Sequence, residues 1–568
     1  MGLMDALGIG MKGLNAAQTS IDVAGQNISN ANTEGYSRKK VDLQAASVNN
    51  EVYGQKGYGV DVTAIVRVRD AFLDRQIWEQ SGDSGMTTEL DNAYIHLENI
   101  LKEPTDNGLA ATLNKFWASW QDLANAPANL SARESVRSAG TILASSFHDV
   151  YKQIEDYGLS MNNPLAQNAK TVNDLTGQIY LLNEKISGVE ARPGEKANDS
   201  RDQRDMLVAK LGKLIDVQTV EDEHGRILIT SGGNLIVGTS ESLKISTYGV
   251  DETLSDGSKS TSLRLKFEES GKAFTPRSGA LAGIMTARSD VLASYKEKLN
   301  TLVKSIVTQV NNVHTLGYNL NKQTGVAFFD GAHTKASDIS ISDAVAGDVS
   351  NIAAAAGGKI TDVASFQVAG GVPSSLTPTL DLKAINSSYQ DLAQGKVQVT
   401  LTGAGPTFTP STVLQEGAGK DYIIDYAKGT ITFINYARYA AAANVKVQFS
   451  YNTTGFPGNG NGENAASLAK VRLVKAMSAD SNGGFTQSVS EFYAAVVGKM
   501  GIDKNENKSR KETKEFLITQ MVSEQASISG VSLDEEMTNM IKYQNSYKAS
   551  AKYIQTISQM MEVLMSIQ

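Results

Sequence analysis

The chain contains no cysteine among its 568 residues. This absence excludes disulfide bonds, thiolate metal sites and cysteine nucleophiles. The five histidines are scattered along the chain, and no two of them have the spacing of a metal-ligand pair. The sequence therefore gives no indication of a metal centre, and we expect no cofactor and no enzymatic activity.

Proline is scarce, with ten residues, and it is unevenly distributed. None lies before Pro104 or after Pro457, and five fall between Pro373 and Pro457. Because proline interrupts helices, both ends of the chain can form long helices, whereas the prolines concentrate in a middle insertion.

The charge balance is mildly acidic, with a net charge of −8 and no long basic run. Nucleic acid and anionic membranes are therefore poor candidate partners. The first residues lack a basic leader, and no apolar run is long enough to span a bilayer. We expect neither a cleaved signal peptide nor a membrane span.

Both ends carry residues at alternating intervals of three and four, the spacing of a helix with one packing seam, and at the front this seam includes the small residues Gly10, Ala17 and Ala24. We predict that these two seams form an assembly interface. Its N-terminal residues are Leu3, Leu7, Leu14, Ile21 and Ile28, and its C-terminal residues are Met540, Tyr543, Tyr547, Ile554, Ile557, Met561 and Leu564. An isolated helix is only marginally stable in water, so each segment needs a partner.

Two chemical motifs are mimicked by chance spacing. Gly8, Gly10 and Gly13 match a dinucleotide-binding fingerprint, but no strand precedes them, and small residues that permit close helix packing or local flexibility explain them better. Asp503 begins a run with the opening spacing of a calcium-binding loop, but lysines occupy the required glycine and final glutamate positions. We interpret that run as a solvated turn.

The periodicities predict an α+β multidomain fold, in which a long helical coiled-coil or bundle rod formed by the two halves of the chain carries two inserted antiparallel β-rich domains. The last helix should begin at Ser532, with Glu535 completing a capping box, and a break is expected near Gly501. The predicted domains are a terminal coiled-coil core (1–35 plus 532–568), a helical rod (36–216 plus 278–362 plus 463–531), a small β domain (217–277) and an outer β-rich insertion with a Gly-rich linker (363–462).

Short segments near both ends resemble the signatures of the bacterial flagellar rod, hook and hook-associated axial proteins. The N-terminal signature residues are Ala31, Asn32, Thr33, Gly35, Tyr36 and Arg38, and the C-terminal ones are Ser532, Leu533, Asp534 and Glu535. The C-terminal pattern is similar to that of the hook-associated members. Ser558 and Gln559 depart from it, because an acidic pair is expected there.

The resemblance implies a secreted, extracellular structural subunit of the flagellum, exported unfolded by the type III apparatus. It implies self-association into a ring at the junction between hook and filament. The implied partners are the hook protein, the next hook-associated protein and an export chaperone on the C-terminal helix. Two alternatives stay open: the hook protein of the same family, and a secreted adhesin-like module that uses residues 363–451.

Overall fold

The computed structural model describes residues 3–46, 48–51, 54–103, 105–106, 108–192, 194–255, 257, 259–356, 359–366, 379–381, 398–402, 412–413, 416, 422–425, 430–433, 444–452, 458–479 and 485–566. Long helices dominate these residues, as the apolar periodicity predicts. They are α1 (Leu3–Ser29), α2 (Ala71–Leu101), α3 (Leu109–Asn125), α4 (Leu130–Ser160), α5 (Asn162–Glu190), α6 (Asn198–Leu214), α7 (Gly279–Thr286), α8 (Ala293–His314), α9 (Asp343–Gly347), α10 (Glu463–Lys470), α11 (Val489–Ser529) and α12 (Leu533–Ser566), with a π-helical turn at Ala287–Leu292.

The strands are short, and every strand pair in the described residues is antiparallel. They are β1 (Lys39–Ala45), β2 (Val48–Glu51), β3 (Gly54–Gly57), β4 (Val60–Arg67), β5 (Gln218–Glu221), β6 (Ile227–Ser231), β7 (Asn234–Val237), β8 (Ile245–Thr253), β9 (Lys259–Phe267), β10 (Gly317–Tyr318), β11 (Ala355–Ala356), β12 (Lys359–Phe366), β13 (Thr379–Asp381), β14 (Gln398–Thr402), β15 (Thr412–Val413), β16 (Tyr422–Asp425), β17 (Thr430–Phe433), β18 (Asn444–Asn452), β19 (Lys475–Ala479) and β20 (Phe485–Ser488). The predicted α+β class is confirmed.

The chain divides into two compact units. Unit 1 comprises residues 1–96, 156–293 and 501–568, and unit 2 comprises residues 97–155 and 294–500. The four-domain division derived from the sequence stays a prediction. Much of the predicted outer insertion, including the start of its Gly-rich linker, lies outside the described residues.

In unit 1, three asparagines on α5 fix the inserted strands to the helix. Asn162, Asn173 and Asn183 are spaced by about three helical turns, so they lie on one face. The Asn173 amide accepts a hydrogen bond from Ile245 N and donates one to Ile245 O, at 2.8 and 2.7 Å. Asn183 binds both backbone groups of Ile227 in the same way. These paired bonds satisfy strand-edge groups that would otherwise need water.

In unit 2, an aromatic cluster fills the core. Its fully buried members are Phe116, Trp117, Trp120, Phe328 and Phe329. Phe116, Trp117 and Trp120 all lie on α3, so this helix contributes three of the five rings to the core. The fully buried imidazole of His314 packs edge-on against two of these rings, Trp120 and Phe328.

Two local predictions are wrong. The expected break near Gly501 is absent, because α11 continues from Val489 to Ser529. The run that begins at Asp503 lies inside the same helix and is not a turn. Contacts along α11 explain both results, since the buried Asn507 donates a hydrogen bond to Thr87 O on α2. Tertiary packing of this kind outweighs the cost of about 1 kcal/mol for a helical glycine.

Candidate assembly site

Unit 1 brings the two ends of the chain together at what we call the terminal junction, formed by Asn27, Tyr36, Arg38, Glu535 and Glu536. Asn27 lies in the last turns of α1, and both glutamates lie in the first turn of α12. Tyr36 and Arg38 belong to the loop that leads from α1 to β1. The junction therefore joins three elements, one of which comes from the opposite end of the sequence.

Asn27 is the centre of the junction and is 1% exposed. Its amide nitrogen donates to Lys39 O at 2.9 Å and to Glu536 Oε2 at 3.1 Å. Its amide oxygen accepts hydrogen bonds from the Tyr36 hydroxyl at 2.9 Å and from Lys39 N at 3.0 Å. All the hydrogen-bonding capacity of this buried amide is used, which is what makes its burial tolerable.

Arg38 connects the loop to both sides of the α11–α12 turn. Its backbone N–H donates to Ser529 O at 2.9 Å, and its Nε donates to Glu536 Oε1 at 2.8 Å. Its Nη2 donates to Glu535 Oε1 at 2.9 Å. Glu535, which the sequence assigned to a capping box, thus binds the arginine. Burial acts to lower the pKa of Arg38, but the hydrogen bonds to the two glutamates outweigh it and raise the pKa.

The electrostatic environment keeps Tyr36 protonated. Burial raises its pKa to about 12, with further contributions from the negative charges of Asp199, Asp202 and Glu536. The hydroxyl is therefore available as a hydrogen-bond donor to Asn27 at any physiological pH. Nothing in this arrangement activates the phenol as a nucleophile, because such activation needs a lowered pKa or an adjacent base.

A second set of contacts fixes the signature loop to α6. Ser37 donates from N and Oγ to the two carboxylate oxygens of Asp202, at 3.1 and 2.6 Å. Arg67 Nη1 on β4 donates to Asp202 at 2.7 Å and to Asp205 at 2.9 Å. Asp202 and Asp205 are both buried, so these charges are paired where unpaired charges would be costly.

Gly35 shows why the signature needs glycine. Its φ angle is +78°, a region that side chains disfavour. A Cβ at this position would also lie 2.1 Å from Met206 Sδ on α6. The backbone conformation therefore favours glycine here, whereas the close contact involves the end of the flexible Met206 side chain, which can shift.

Along their length, α1 and α12 pack closely through small residues. A Cβ on Gly10 would lie 2.7 Å from Ile554 Cγ1, and one on Gly13 would lie 3.0 Å from Ser550 Oγ. A Cβ on Gly8 would meet nothing within 4 Å. The interpretation of these glycines as packing residues is confirmed for Gly10 and Gly13, and all three lie within α1.

The stripe that α1 buries consists mainly of small side chains, and the large seam residues lie beside it. The buried residues of α1 are Ala6, Gly10, Ala16, Ala17, Ser20, Val23, Ala24 and Asn27. The predicted interface residues that are half-buried are Leu3, Leu7, Leu14, Ile21, Ile28, Met540, Tyr543, Ile554 and Met561. Ile557 is buried, whereas Tyr547 and Leu564 are exposed.

The signature residues divide in the same way. Those that are half-buried are Ala31, Gly35, Tyr36 and Arg38, and those that are exposed are Asn32, Thr33, Ser532, Leu533, Asp534 and Glu535. Glu536 is not among the predicted signature residues, although it is 3% exposed and is, with Asn27, a buried member of the junction. Its partner Arg38 lies 498 positions away, and no local pattern connects the two.

Three segments of the chain match described families. Residues 94–329 match the flagellar hook-associated protein FlgK helical domain. Residues 7–36 match the flagella basal body rod protein family, and residues 523–567 match the flagellar basal body rod FlgEFG protein C-terminal family.

Whole-length relatives agree. Flagellar hook-associated protein 1 of Salmonella typhimurium is 27% identical, with 98% of each chain covered. Flagellar hook-associated protein 1 of Bacillus subtilis is 26% identical, with 96% of this chain and 94% of the relative covered. Over almost its whole length, the chain is similar to proteins of the flagellar hook-associated protein 1 family. Proteins of this family are structural components of the flagellum and act in motility.

A solved structure shares the fold of this chain. The flagellar hook junction protein FlgK from Burkholderia pseudomallei superposes with a TM-score of 0.56 at 20% identity, covering 80% of this chain and all of that one. The terminal junction joins the two end segments that match the rod families. Asn27 and Tyr36 lie within residues 7–36, and Glu535 and Glu536 lie within residues 523–567.

The described residues contain no helix that is long and apolar enough to cross a membrane. Within the same residues, no group of three or more histidine or acidic side chains is arranged to hold a metal ion.

Proposed function

We propose that this protein is a structural subunit of the junction zone between hook and filament, and that its terminal helices assemble it with neighbouring copies. The observation that carries the proposal is the surface of α12. This helix has 34 residues, of which only Glu536 and Ile557 are buried among those described. A helix with so few buried residues leaves most of its apolar surface available for contact with other subunits.

The exposed apolar residues of α12 follow a helical spacing. Leu533, Met537 and Ile541 recur every four residues and are 48%, 51% and 61% exposed. Met560, Val563 and Leu564 form a second group near the end of the helix. We call the first three residues the α12 stripe. Exposed apolar stripes of this kind mark interaction surfaces, and covering each side chain would contribute roughly 1.5–3 kcal/mol.

The proposed assembly uses two kinds of contact. The small-residue contact between α1 and α12 holds the helix pair of one subunit together. The half-buried residues beside it, such as Leu14 and Ile21, and the α12 stripe then pack against neighbouring copies in a ring. The hook protein and the next hook-associated protein are the proposed neighbours on the two sides of that ring.

The proposed location is extracellular, after type III export of the unfolded chain. During export, a chaperone that covers the C-terminal helix would shield the α12 stripe from aggregation. Export can be tested apart from assembly by measuring how much of each variant reaches the culture medium.

The test is the complementation of a deletion strain, followed by electron microscopy of its hooks. Without the protein, hooks should carry no filaments, and the unchanged chain should restore them. The triple variant Leu533→Ser, Met537→Ser, Ile541→Ser should be exported but should leave most hooks bare. The control is Leu181→Ser on α5, because it removes an exposed leucine outside the terminal helices.

Filaments on the hooks of the deletion strain would contradict the junction role. Normal filaments with the triple variant would contradict the proposed use of the α12 stripe. Labelled protein along the whole hook, rather than in one short zone, would favour the hook-protein alternative.

A further inference from the structure

Unit 1 contains a cleft whose lining is unusually rich in arginine. We call it the arginine cleft and define it by Arg67, Arg69, Arg75, Lys196, Arg201 and Arg204. It encloses about 430 Å³ between the end of β4, the start of α2, the first turns of α6 and strands β5 and β6. The packing and the junction described above account for only part of this charge.

Arg204 is the deepest of these cations and is 1% exposed. Its Nη1 donates to Gly225 O at 2.6 Å and to Asn183 Oδ1 at 3.3 Å. Its Nε is buried and has no hydrogen-bond acceptor in the described part of the chain. The nearest carboxylate, Asp205 Oδ1, lies 3.6 Å away. Burial lowers the pKa of Arg204, and the positive charges of Arg201 and Arg67 lower it further.

The carboxylates of Glu190 and Glu221 beside the cleft already bind Arg201 and Lys196. Arg201 Nε and Nη2 bind the two oxygens of Glu190 at 2.6 and 2.9 Å. Arg201 Nη1 also binds Glu221 at 2.8 Å. Lys196 shares Glu190 at 3.0 Å. These acids neutralise the walls and leave no acceptor directed at Arg204 Nε.

The charge count leaves a positive excess at the mouth. The six cations that define the cleft are matched by five carboxylates, namely Asp74, Asp202, Asp205, Glu190 and Glu221. Arg75 is exposed on α2, and the described residues provide it with no ion-pair partner. The guanidinium of Arg75 therefore lies at the entrance without an ion-pair partner in the described residues, and the unsatisfied Nε–H donor of Arg204 lies deep in the cleft.

We propose that the arginine cleft binds one small oxyanion of the carboxylate or phosphate class. The two adjacent N–H groups of a guanidinium match a pair of oxygens on such anions and form strong charge-assisted hydrogen bonds with them. The anion could come from two sources with the same chemistry: free phosphate, or the side chain of an aspartate or glutamate on a neighbouring copy. The inference does not depend on the proposed junction function.

The chain contains a selective probe for this cleft. It has three tryptophans, of which Trp78 lines the cleft, whereas Trp117 and Trp120 are buried in unit 2. The full-length protein labelled with 5-fluorotryptophan should therefore give three ¹⁹F resonances. It is titrated with inorganic phosphate in one arm and with N-acetylglutamate amide in the other, at constant ionic strength set with sodium chloride.

Only the Trp78 resonance should shift, and the shift should saturate. Saturation at a lower concentration of phosphate assigns a free anion as the ligand, and saturation at a lower concentration of the capped glutamate assigns a protein carboxylate. Arg75→Gln should raise the dissociation constant by about fivefold or more, since a partly exposed charge pair contributes on the order of 1 kcal/mol. Lys210→Gln, an exposed change on α6 outside the cleft, should alter it less than about twofold.

Three results would overturn the proposal. The first is the absence of any Trp78 shift with either anion. The second is a parallel shift of all three resonances, which would indicate a general salt effect. The third is an unchanged affinity in Arg75→Gln, which would remove the entrance cation from the site.

Discussion

Arg38 and Glu536 lie 498 positions apart in the sequence and form an ion pair of 2.8 Å. The Glu536 side chain is 4% exposed, so the pair links the signature loop to the first turn of α12 away from solvent. The adjacent Glu535 binds the same arginine at 2.9 Å but is mostly exposed. Glu535 and Glu536 thus bind the same arginine, Arg38, but differ in how far they are buried.

This difference predicts unequal effects of two matched substitutions. Glu536→Gln should destabilise unit 1 by about 2 kcal/mol, because it leaves Arg38 partly uncompensated in a buried setting. Glu535→Gln should cost less than about 0.5 kcal/mol, since exposed pairs contribute little. Urea unfolding followed by the ¹⁹F resonance of Trp78 reports on unit 1 separately from unit 2. Equal effects of the two substitutions would show that burial does not control the strength of this link.

Close packing of α1 on α12 leads to a second prediction, which compares two matched glycine substitutions in α1. Gly8→Ala should stabilise α1 by about 1 kcal/mol, because alanine is the better helix former and the new Cβ meets nothing within 4 Å. Gly10→Ala should not stabilise α1 in this way, because its Cβ would overlap the Ile554 side chain. Amide hydrogen exchange across residues 3–17 measures both effects.

The control for the second pair is Ile554→Ala, which removes the overlapping atoms. In that background, Gly10→Ala should increase amide protection rather than decrease it. Equal protection in Gly8→Ala and Gly10→Ala in the unchanged chain would mean that the two helices do not approach closely at Gly10.

Local sequence pattern predicted the terminal helices, but the large apolar residues of the predicted seam in α1 are not its most buried members. The spacing of Leu7, Leu14 and Ile21 correctly indicated a helix in α1. The buried stripe instead centres on Gly10, Ala17 and Ala24, because the distance of closest approach favours small side chains at the contact. Periodicity identifies an apolar side of a helix, whereas the size of the side chains decides how near a neighbour can come.

Long-range pairings were beyond the reach of the sequence for a different reason. The ion pair of Arg38 and Glu536, and the bonds from Asn183 to Ile227, depend on the assembled fold and leave no periodic signal. The predicted break near Gly501 was wrong for the opposite reason, because here the local sequence gave a signal that the fold does not follow. A weak local preference to end the helix was overridden by tertiary contacts of α11, such as that of Asn507.

A third prediction concerns the acid stability of unit 1. Burial alone would raise the pKa of Glu190, but hydrogen bonds from Arg201 and Lys196 outweigh it and lower the pKa to about 2. The unfolded chain then binds a proton that the folded chain does not bind between the ordinary glutamate pKa of about 4.3 and pH 2. The stabilisation from Glu190 is present above that range and is lost as the pH falls through it.

Glu190→Gln should reduce the pH dependence of unit 1 unfolding by up to one proton below about pH 4.3. The control is Glu134→Gln in unit 2, where the carboxylate pairs only at the surface. The unfolding free energy of unit 1, followed through Trp78 as a function of pH, provides the measurement. An unchanged slope in Glu190→Gln would show that this carboxylate is not selectively stabilised in the folded state.

The fourth prediction places an acid-sensitive group in the core of unit 2. His314 Nδ1 donates to Val326 O at 2.7 Å, and its Nε2 accepts from Ala353 N at 2.9 Å, so the neutral ring uses both nitrogens. Burial lowers its pKa to about 4, and the charge of Arg133 lowers it further, while the bond to Val326 opposes the shift. The folded state therefore excludes a proton that the unfolded state binds below about pH 6.5. Unit 2 should lose roughly 1 kcal/mol of unfolding free energy per pH unit as the pH falls from about 6.5 to 4.

Below about pH 4 the folded state also binds the proton, so this histidine adds no further slope. His314→Asn should remove one proton from the pH dependence between those limits, measured through the ¹⁹F resonances of Trp117 and Trp120. If that variant does not fold, the ¹⁵N resonances of His314 in the unchanged chain provide the same test. A ring that becomes protonated near pH 6.5 in the folded protein would contradict the assignment, because a charged imidazole cannot accept the hydrogen bond from Ala353 N.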